Sequence, residues 1–493
     1  MNALLICPRF PDTFWGFKHA LTFVGKRASF PPLGLLTVAA MLPAAWSLRL
    51  VDLNVTTLRG ADLAWADVAM VTGMSVQRAS AKAVIARCGA AGVRVVAGGP
   101  LFTVEPDDFP EVDHLVLDEA EVTLPRFLAD LAAGRPARVY RSDGWADLGH
   151  TPVPLWRLLD LRRYAQMSVQ YSRGCPFNCD FCNVTALFGH RPRAKAPGQV
   201  AAELDALRDA GWRGPVFFVD DNLIGSPQEV KAGLLPALAA WQRARGPLPF
   251  KTQASINLAD DPGLTAMVVA AGFETVFVGI ETPAEEGLAE CRKQQNRGRD
   301  LVADVRRLQR AGLEVQGGFI VGFDSDGPAI FGRQAELIRA SGIPTAMVGM
   351  LQAPPGTRLY ERLWQARRIS GPLSGDNVTG TTNIVPAMGL ERLRSGYRRL
   401  LAEIYAPRQY YRRVRALLRE CPRPRLRGGA RWPQREEVAA FGRSLVRLGV
   451  VARERWEYWK LLAWTVCHRP RSLGAAVTLA ITGYHCRRFC QGT

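Results

Sequence analysis

Three of the ten cysteines in the chain, Cys175, Cys179 and Cys182, fall within eight residues of one stretch, SRGCPFNCDFCNVTALFG. Three thiolates can bind three irons of a cubic [4Fe–4S] cluster and leave the fourth iron open to a small molecule. A closed zinc site needs four ligands, and His190, eight residues beyond Cys182, is the nearest histidine that could complete one. The spacing favours an iron–sulfur cluster with one open iron, and zinc is the alternative.

The other seven cysteines are scattered, which is typical of buried or idle thiols in a reducing compartment. They are Cys7, Cys88, Cys291, Cys421, Cys467, Cys486 and Cys490. The N-terminal stretch MNALLICPRF lacks the basic start and long apolar run of a signal peptide, and it is typical of a buried strand. No window carries the roughly 18 apolar residues that would span a bilayer. We therefore expect a cytoplasmic protein.

The elements that precede the cysteines alternate short apolar runs with helical stretches over residues 1–140. Five runs read as strands: 3–7, 48–52, 68–73, 93–99 and 114–119. Near-continuous apolar strands separated by helices predict an α/β fold with a doubly wound parallel sheet, whose ligands bind beyond the carboxyl ends of the strands. Residues 141–165, rich in proline and glycine, are predicted to be a linker.

A second strand–helix rhythm covers residues 166–385 and places the cysteines just after its first strand. Six strands are predicted at 168–172, 216–220, 250–255, 276–280, 315–323 and 347–351. Six such units indicate a partial (β/α)6 barrel, in which the carboxyl ends of the strands form the active-site rim. Polar residues follow most of these strands: Asp220, Asp221, Asn222, Gln253, Ser255, Glu281, Asp324 and Gln352. As a set they favour a functional rim, although any one of them alone could be a solvated surface residue.

The cysteine stretch, with Phe181 before its last cysteine, resembles the signature of the radical S-adenosylmethionine (SAM) superfamily. The resemblance extends to FFVDDNLIG, FVGIETP, GGFIVGFDSD and APPGTRLY. It implies that the open iron chelates the amino and carboxylate groups of SAM and that one electron cleaves SAM to a hydrogen-abstracting 5′-deoxyadenosyl radical. By strand position it also assigns the SAM-binding residues. These are Asp220, Asp221 and Asn222 for the amino group, Ser255 and Glu281 for the ribose or carboxylate, and Gly318 and Gly322 near the adenine.

A doubly wound domain before such a barrel is similar to the cobalamin-binding class of the superfamily, and most similar to the group that includes hopanoid C-2 methylase. The cobalt-ligating motif Asp-x-His-x-x-Gly of that class is not intact, because Asn54 follows Asp52 where the histidine would stand. Glycines at strand ends, Gly73, Gly98 and Gly99, are further candidates for cobalamin contact, although tight turns need glycine in any case. A vestigial sheet domain is the alternative.

The resemblance implies cobalamin-dependent methyl transfer from SAM to an unactivated carbon of a lipid or natural product. The alternatives are cobalamin-dependent radical cyclisation, rearrangement or hydroxylation, and a non-catalytic iron–sulfur protein for electron transfer or sensing. The partners that follow are a small-molecule or lipid substrate and an electron donor such as flavodoxin or ferredoxin.

The basic character of the chain is concentrated in a helical C-terminal region, residues 386–493. The net charge of the whole chain is +18, and residues 401–493 hold 19 Lys and Arg against six Glu and no Asp, a net +13. A basic region with Trp456, Trp459 and Trp464 could lie on an anionic membrane at its inner face, or pack its aromatic rings on the barrel with the arginines solvated. RNA binding is the third and least favoured alternative, so we do not expect a nucleic-acid partner.

Overall fold

The structure, a computed structural model, describes residues 1–376, 378–422 and 435–492. Its N-terminal part is a six-stranded parallel sheet with strand order β2-β1-β3-β4-β5-β6. The strands are β1 Asn2–Cys7, β2 Ser47–Asp52, β3 Val68–Thr72, β4 Arg94–Gly98, β5 His114–Val116 and β6 Val139–Tyr140. The helices are α1 Lys18–Val24, α2 Leu33–Met41, α3 Gly60–Trp65, α4 Arg78–Ala90, α5 Pro100–Val104 and α6 Ala120–Ala132.

The doubly wound sheet predicted from sequence is confirmed, since all five expected strands are present. Their apolar side chains are buried on both faces, which is what a parallel sheet covered by helices requires. The sixth strand, β6, was not predicted because it is only two residues long and has no apolar run around it.

The second part of the chain is a parallel sheet of six strands, with order β14-β13-β12-β11-β10-β7, that forms the partial barrel predicted. Its strands are β7 Met167–Val169, β10 Val216–Phe218, β11 Phe250–Gln253, β12 Phe273–Glu281, β13 Glu314–Val321 and β14 Ala346–Met350. A separate antiparallel pair, β8 Ser172–Arg173 and β9 Arg193–Ala194, follows β7. Helices of this part are α7 Val184–Phe188, α8 Pro197–Asp209, α9 Pro227–Glu229, α10 Leu235–Arg245, α11 Pro262–Ala270, α12 Glu285–Glu290, α13 Leu301–Ala311, α14 Ile330–Ser341 and α15 Arg358–Gln365.

The register of the barrel strands defines rows of residues that face its interior. The row nearest the amino ends of the strands is Ser168, Phe217, Lys251, Thr275 and Glu314. The next two rows are Gln253–Phe277–Gln316 and Gly279–Gly318–Met347. Alternate residues such as Val216, Val276 and Val278 are fully buried towards the helices, as the two-residue period of a strand requires.

An N-terminal segment, residues 14–30, closes the gap between the edge strands β7 and β14, and we call it the barrel plug. On the β7 side, the carbonyl oxygens of Ala28 and Ser29 accept hydrogen bonds from the backbone of residues 165 and 166 at 3.0 and 3.1 Å. On the β14 side, the Trp15 indole nitrogen lies 2.9 Å from the Met347 sulfur. Because these contacts are at the amino ends of both strands, the plug closes the end of the barrel opposite the rim.

The C-terminal region is helical, as predicted, over the residues that the structure describes. Its helices are α16 Leu390–Ile404, α17 Pro407–Glu420, α18 Arg435–Val446, α19 Arg455–His468 and α20 Leu473–Cys490. Helix α16 packs on α14 and β14, and α20 packs on α1 and α19, so this region joins the main hydrophobic core. None of the described helices is long and apolar enough to cross a membrane.

Candidate functional site

The cysteine loop lies at the carboxyl end of the barrel and is enclosed by the β8–β9 pair. Gly174 starts the loop at φ +92, where a Cβ would lie 3.0 Å from the carbonyl oxygens of Phe188 and Arg191. A side chain there would be strained by the left-handed backbone conformation and would press on backbone oxygens, so this position favours glycine. The Cys175 amide also donates to the Gly189 carbonyl at 3.4 Å, which closes the loop.

Two carboxylates beneath the loop hold its first residues in place. Asp220 accepts hydrogen bonds from the Tyr171 amide at 3.3 Å, the Ser172 hydroxyl at 2.6 Å and the Ser172 amide. Asp221 accepts a bond from the Gly174 amide at 3.0 Å. Burial raises the pKa of each carboxyl to about 6, while the backbone donors act in the opposite direction. Both side chains are thus committed to the loop backbone, and their predicted contact with SAM stays a prediction.

The three thiols share a buried environment with one cation. Burial raises the pKa of all three, that of Cys182 to about 12, and Lys293 acts in the opposite direction on each. The Lys293 ammonium lies 2.8 Å from a carboxylate oxygen of Glu281 at the end of β12. Three soft thiolates beside a buried positive charge fit an iron–sulfur cluster, because the iron supplies the charge that keeps buried thiols deprotonated.

The zinc alternative needs four ligands around one ion. Among the described residues, no three His, Cys, Asp or Glu side chains come close enough to bind a single metal ion. Cysteines that each bind a different iron of a cubane do not have to meet at one point. His190 is exposed and lines, with Cys179, Cys182 and Arg358, a cavity of about 150 Å³ beside the cysteine loop.

Glu281 adopts a left-handed backbone conformation, φ +66, which is rare for a residue with a Cβ and common at functional sites. The surrounding side chains hold it there: Gln334 donates to the Glu281 carbonyl at 2.9 Å, and Asn296 donates to Gly279 and Ile280. Its carboxylate therefore points from the barrel rim towards Lys293 and the cysteines.

The remaining rim residues divide into two kinds. Asn222 and Ser255 hydrogen-bond to each other at 3.1 Å and form one polar corner. Gly318 faces the barrel interior, where a Cβ would lie 2.7 Å from the Phe277 ring, so glycine makes room for that ring. Gly322 instead faces Leu393 of α16, which occupies the space a side chain would need. The structure thus places Asn222, Ser255 and Gly318 around the interior and turns Gly322 away from it.

A buried ion-pair cluster joins the N-terminal sheet to the cysteine loop. Arg173 of β8 contacts Glu119 and Glu121, at 2.8 and 2.7 Å, and Arg193 of β9 contacts Glu119 at 2.9 Å. Burial raises the pKa of Glu121, but the pair with Arg173 outweighs it and the pKa is lowered. The two carboxylates follow β5, so the carboxyl edges of the sheet and the barrel face each other.

The carboxyl edge of the N-terminal sheet carries the residues predicted to meet cobalamin. The Asn54 amide group donates to Asp52 at 2.6 Å and to the Pro8 carbonyl at 3.3 Å, and its oxygen accepts from the Phe10 amide at 2.9 Å. Neighbouring protein atoms explain the glycines. A Cβ at Gly73, Gly98 or Gly99 would lie 3.2 Å from Leu101, 2.4 Å from the Val116 carbonyl or 2.6 Å from Thr72, respectively.

Two apolar side chains at the same edge are exposed, Phe10 after β1 and Met74 after β3. An uncovered apolar surface between two facing domains fits the flat, largely apolar face of a corrin ring. A barrel loop reaches this edge as well. Gln352, after β14, holds Ser374 and Asp376 at 3.1 and 2.8 Å, and Gly375 packs directly on residues 75–76. The residues present therefore fit cobalamin, without a histidine at the position of Asn54.

Sequence reasoning missed Lys293, the Arg173–Arg193 pair and the barrel plug. Lys293 stands in the polar run CRKQQNRGR, which is typical of a solvated turn. A signal for the arginines did exist: Glu119 and Glu121 in LDEAE follow a buried strand, and buried carboxylates need partners. The aromatic content of FWGFKHALTF was the only hint of the plug.

Comparison with known proteins agrees with this architecture. Residues 27–128 match the B12 binding domain, residues 169–329 match the radical SAM superfamily, and residues 357–493 match a domain of unknown function. The two-domain fold and the three-cysteine loop therefore define a cobalamin-binding radical SAM enzyme, whose cofactors are a [4Fe–4S] cluster, SAM and cobalamin.

Full-length relatives show the family. The chain is 39% identical to an uncharacterized methyltransferase of Synechocystis sp., over 98% of this chain and 91% of that protein. It is 33% identical to hopanoid C-2 methylase of Rhodopseudomonas palustris, over 93% of this chain and 88% of that protein. The chain belongs to this family of cobalamin-dependent radical SAM methyltransferases.

Solved structures share the fold. The cobalamin-dependent SAM radical enzyme OxsB, with aqua-cobalamin and SAM bound, superposes with a TM-score of 0.63 at 14% identity, covering 99% of this chain and 79% of that one. The radical SAM methyltransferase TsrM of Kitasatospora setae, with tryptophan and a SAM analogue bound, gives 0.58 at 16% identity, covering 75% and 77%.

Proposed function

We propose that this methyltransferase acts on a carbon atom of an apolar, lipid-like molecule held inside the barrel. The observation that carries the proposal is the aromatic lining of the interior. Phe217 and Phe277 project inwards from β10 and β12, and the barrel plug adds Phe30 and Trp15 against them at ring distances of 5.4 and 5.5 Å. Apolar and aromatic walls take up a hydrocarbon skeleton by burying its surface.

We call the space that these four rings line the chamber, and the residues around it support the same substrate class. Gly279 and Gly318 stand in one row with Met347 and add no side-chain bulk between the aromatic layer and the rim. Lys251 and Glu314 stand in the same strand row as Phe217, and burial lowers the pKa of Lys251. A substrate with an apolar body and a small polar end fits a chamber of this kind. The hopanoid C-2 methylase relative, by its name, acts on a hopanoid.

When bound, the cofactors supply the methyl group and the radical hydrogen abstraction that an unactivated carbon needs. The residues of the protein bind these cofactors and orient them towards the substrate. Cys175, Cys179 and Cys182 would hold the cluster, and Glu281, Asn222 and Ser255 would contact SAM at the rim. The Lys293 ammonium would stabilise negative charge beside the cluster, whether thiolate or carboxylate. The plug excludes water from the opposite end of the chamber, which protects a reactive radical from side reactions.

We also propose where the electron enters. The cavity of about 150 Å³ opens onto Cys179 and Cys182 and is lined by His190 and Arg358. Arg292 is exposed nearby and pairs with Asp180 of the cysteine loop at 3.4 Å. An acidic donor such as flavodoxin or ferredoxin would meet basic side chains at the shortest path to the cluster. The domain boundaries at residues 140, 165 and 385 likewise remain proposals.

The test is anaerobic reconstitution with iron, sulfide, cobalamin and SAM carrying a trideuterated methyl group, followed by mass spectrometry of added lipid extracts. We expect an apolar product that gains one labelled methyl. Trp15→Ala should lower labelling while 5′-deoxyadenosine formation persists, because only the chamber wall is changed. Trp364→Ala, on the exposed face of α15, is the matched control. Labelling confined to water-soluble, polar products would contradict the proposal.

A further inference from the structure

Exposed apolar side chains are concentrated in one part of the C-terminal region. Of the 15 large apolar side chains that are exposed among the described residues, seven lie between positions 438 and 466. The segment thus holds about half of them in 29 residues. A contiguous exposed apolar patch on an otherwise well-packed protein marks a surface that binds something.

The patch is built from the end of α18, from the π-helical segment Arg447–Val451 that follows it, and from one face of α19. Its members are Val446, Val450, Val451, Trp456, Trp459 and Val466, and we call it the hairpin patch. Val450, Val451 and Trp456 are 65%, 73% and 68% exposed and stand at the tip. On α19, positions 456, 459, 463 and 466 are spaced by three and four residues, so they share one face of the helix.

The patch is anchored to the hydrophobic core, so its exposure does not result from loose packing. The opposite face of α19 buries Tyr458, Leu461 and Leu462 against the core. Trp459 donates a hydrogen bond from its indole nitrogen to the Gly449 carbonyl at 2.9 Å, and its ring covers Gly449. The aromatic and aliphatic side chains are therefore presented outwards by a fixed helical hairpin.

Basic residues surround the patch. Arg453, Arg455 and Lys460 are exposed at its edge, and the Arg455 guanidinium lies 5.9 Å from the Trp456 ring. The nearby acidic residues are neutralised, since Glu454 pairs with the buried Arg487 and Glu457 pairs with Lys460 at 3.0 Å. An apolar face edged by the exposed cations Arg453 and Arg455, with its neighbouring carboxylates paired, complements a surface that is apolar inside and anionic outside.

We propose that the hairpin patch docks the enzyme on an anionic lipid bilayer. Val450, Val451 and Trp456 enter the boundary between head groups and acyl chains, and the basic rim contacts the lipid phosphates. This surface is smaller than the tail-wide contact predicted from sequence. Trp464, one of the three tryptophans expected to anchor, is instead held between Arg419 and His468, with its ring stacked on the latter at 5.4 Å.

The test is flotation of the holoenzyme with two kinds of vesicle. One is phosphatidylcholine alone, and the other also contains phosphatidylglycerol, which makes the surface anionic. The variants are V450D/V451D, Trp456→Ala and the control Trp364→Ala, whose ring is 63% exposed on α15. We expect the wild type and the control to float with the anionic vesicles, and both patch variants to lose about tenfold or more in affinity. Binding should weaken between about 0.1 and 0.5 M salt as the cationic contacts are screened.

Several outcomes would overturn the proposal. Equal binding to neutral and anionic vesicles would show that the basic rim does not contribute to binding. Unchanged binding of V450D/V451D would show that the apolar tip does not enter the bilayer. Absence of wild-type binding, or nucleic acid that co-purifies and competes with vesicles, assigns the patch to another partner. Because 5′-deoxyadenosine formation is measured without lipid, its loss in a variant reports damage to the enzyme, and failure of docking is distinguishable from failure of the methyl-transfer proposal.

Discussion

Acidification should destabilise the attachment of the plug through one buried histidine. His485 of α20 donates a hydrogen bond from Nε2 to the Phe14 carbonyl at 2.8 Å and is only 1% exposed. Burial lowers its pKa from 6.5 to about 4. The bond to Phe14 and the Asp12 charge raise it, and His19 lowers it further. The neutral ring thus ties the last helix of the chain to its N-terminal segment.

The direction and the size of the change in unfolding free energy follow from proton linkage. The unfolded chain binds a proton at this histidine below about pH 6.5, whereas the native protein does not until about pH 4. The unfolded state therefore gains protons first, and the stabilisation present at pH 7 is lost as the pH falls through that window. Two pKa values 2.5 apart correspond to a loss of about 2 kcal/mol at pH 5 and about 3 kcal/mol at pH 4.

The measurement is urea unfolding of the wild type and His485→Gln at pH 7.5 and pH 5. Glutamine keeps an N–H donor for the Phe14 carbonyl but does not titrate. We expect the wild type to lose about 2 kcal/mol more than the variant between the two pH values. The carboxyls of Asp220 and Asp221, whose pKa is raised, act in the opposite direction in both proteins and cancel. Equal losses in the two proteins would refute the reasoning.

Three further predictions concern the cofactors. Cys182→Ala should lose both iron retention and SAM cleavage, whereas Cys88→Ala, in the core of the N-terminal sheet, should keep both; a normal iron content in the first variant would show that the ligand assignment is wrong. Arg358→Glu should lower the ratio of flavodoxin-driven to dithionite-driven SAM cleavage several-fold, and an unchanged ratio would move the electron entry elsewhere. Hydroxocobalamin should bind without a histidine on cobalt, because Asn54 is engaged with its own loop; after one-electron reduction to the paramagnetic Co(II) form, an electron paramagnetic resonance spectrum that shows an imidazole nitrogen from the protein would contradict this.

The strands could be predicted from sequence because parallel strands covered on both faces leave near-continuous apolar runs, as in VRVVAGG and VFVGI. The cysteine loop was equally visible, since its spacing is local. The roles of the side chains at the rim could not be predicted, because a carboxylate at this position can bind either the backbone or a ligand. Asp220, predicted on position to meet SAM, is bonded to the backbone of Tyr171 and Ser172. The plug could not be foreseen, since Trp15 and Met347 are 332 residues apart.

The barrel plug also has a consequence for how the enzyme is made and how it could be altered. Residues 14–30 leave the ribosome more than 300 residues before β14, so the barrel can be sealed only late in synthesis, after both edge strands exist. An excised barrel without the first 30 residues would expose Phe217 and Phe277 to solvent and would be prone to aggregate. Conversely, the part of the chamber wall that Trp15 and Phe30 form is encoded in a separate stretch of the chain from the strands that carry the catalytic rim. Exchanging the short N-terminal segment between family members could therefore retune substrate choice while leaving the radical machinery intact.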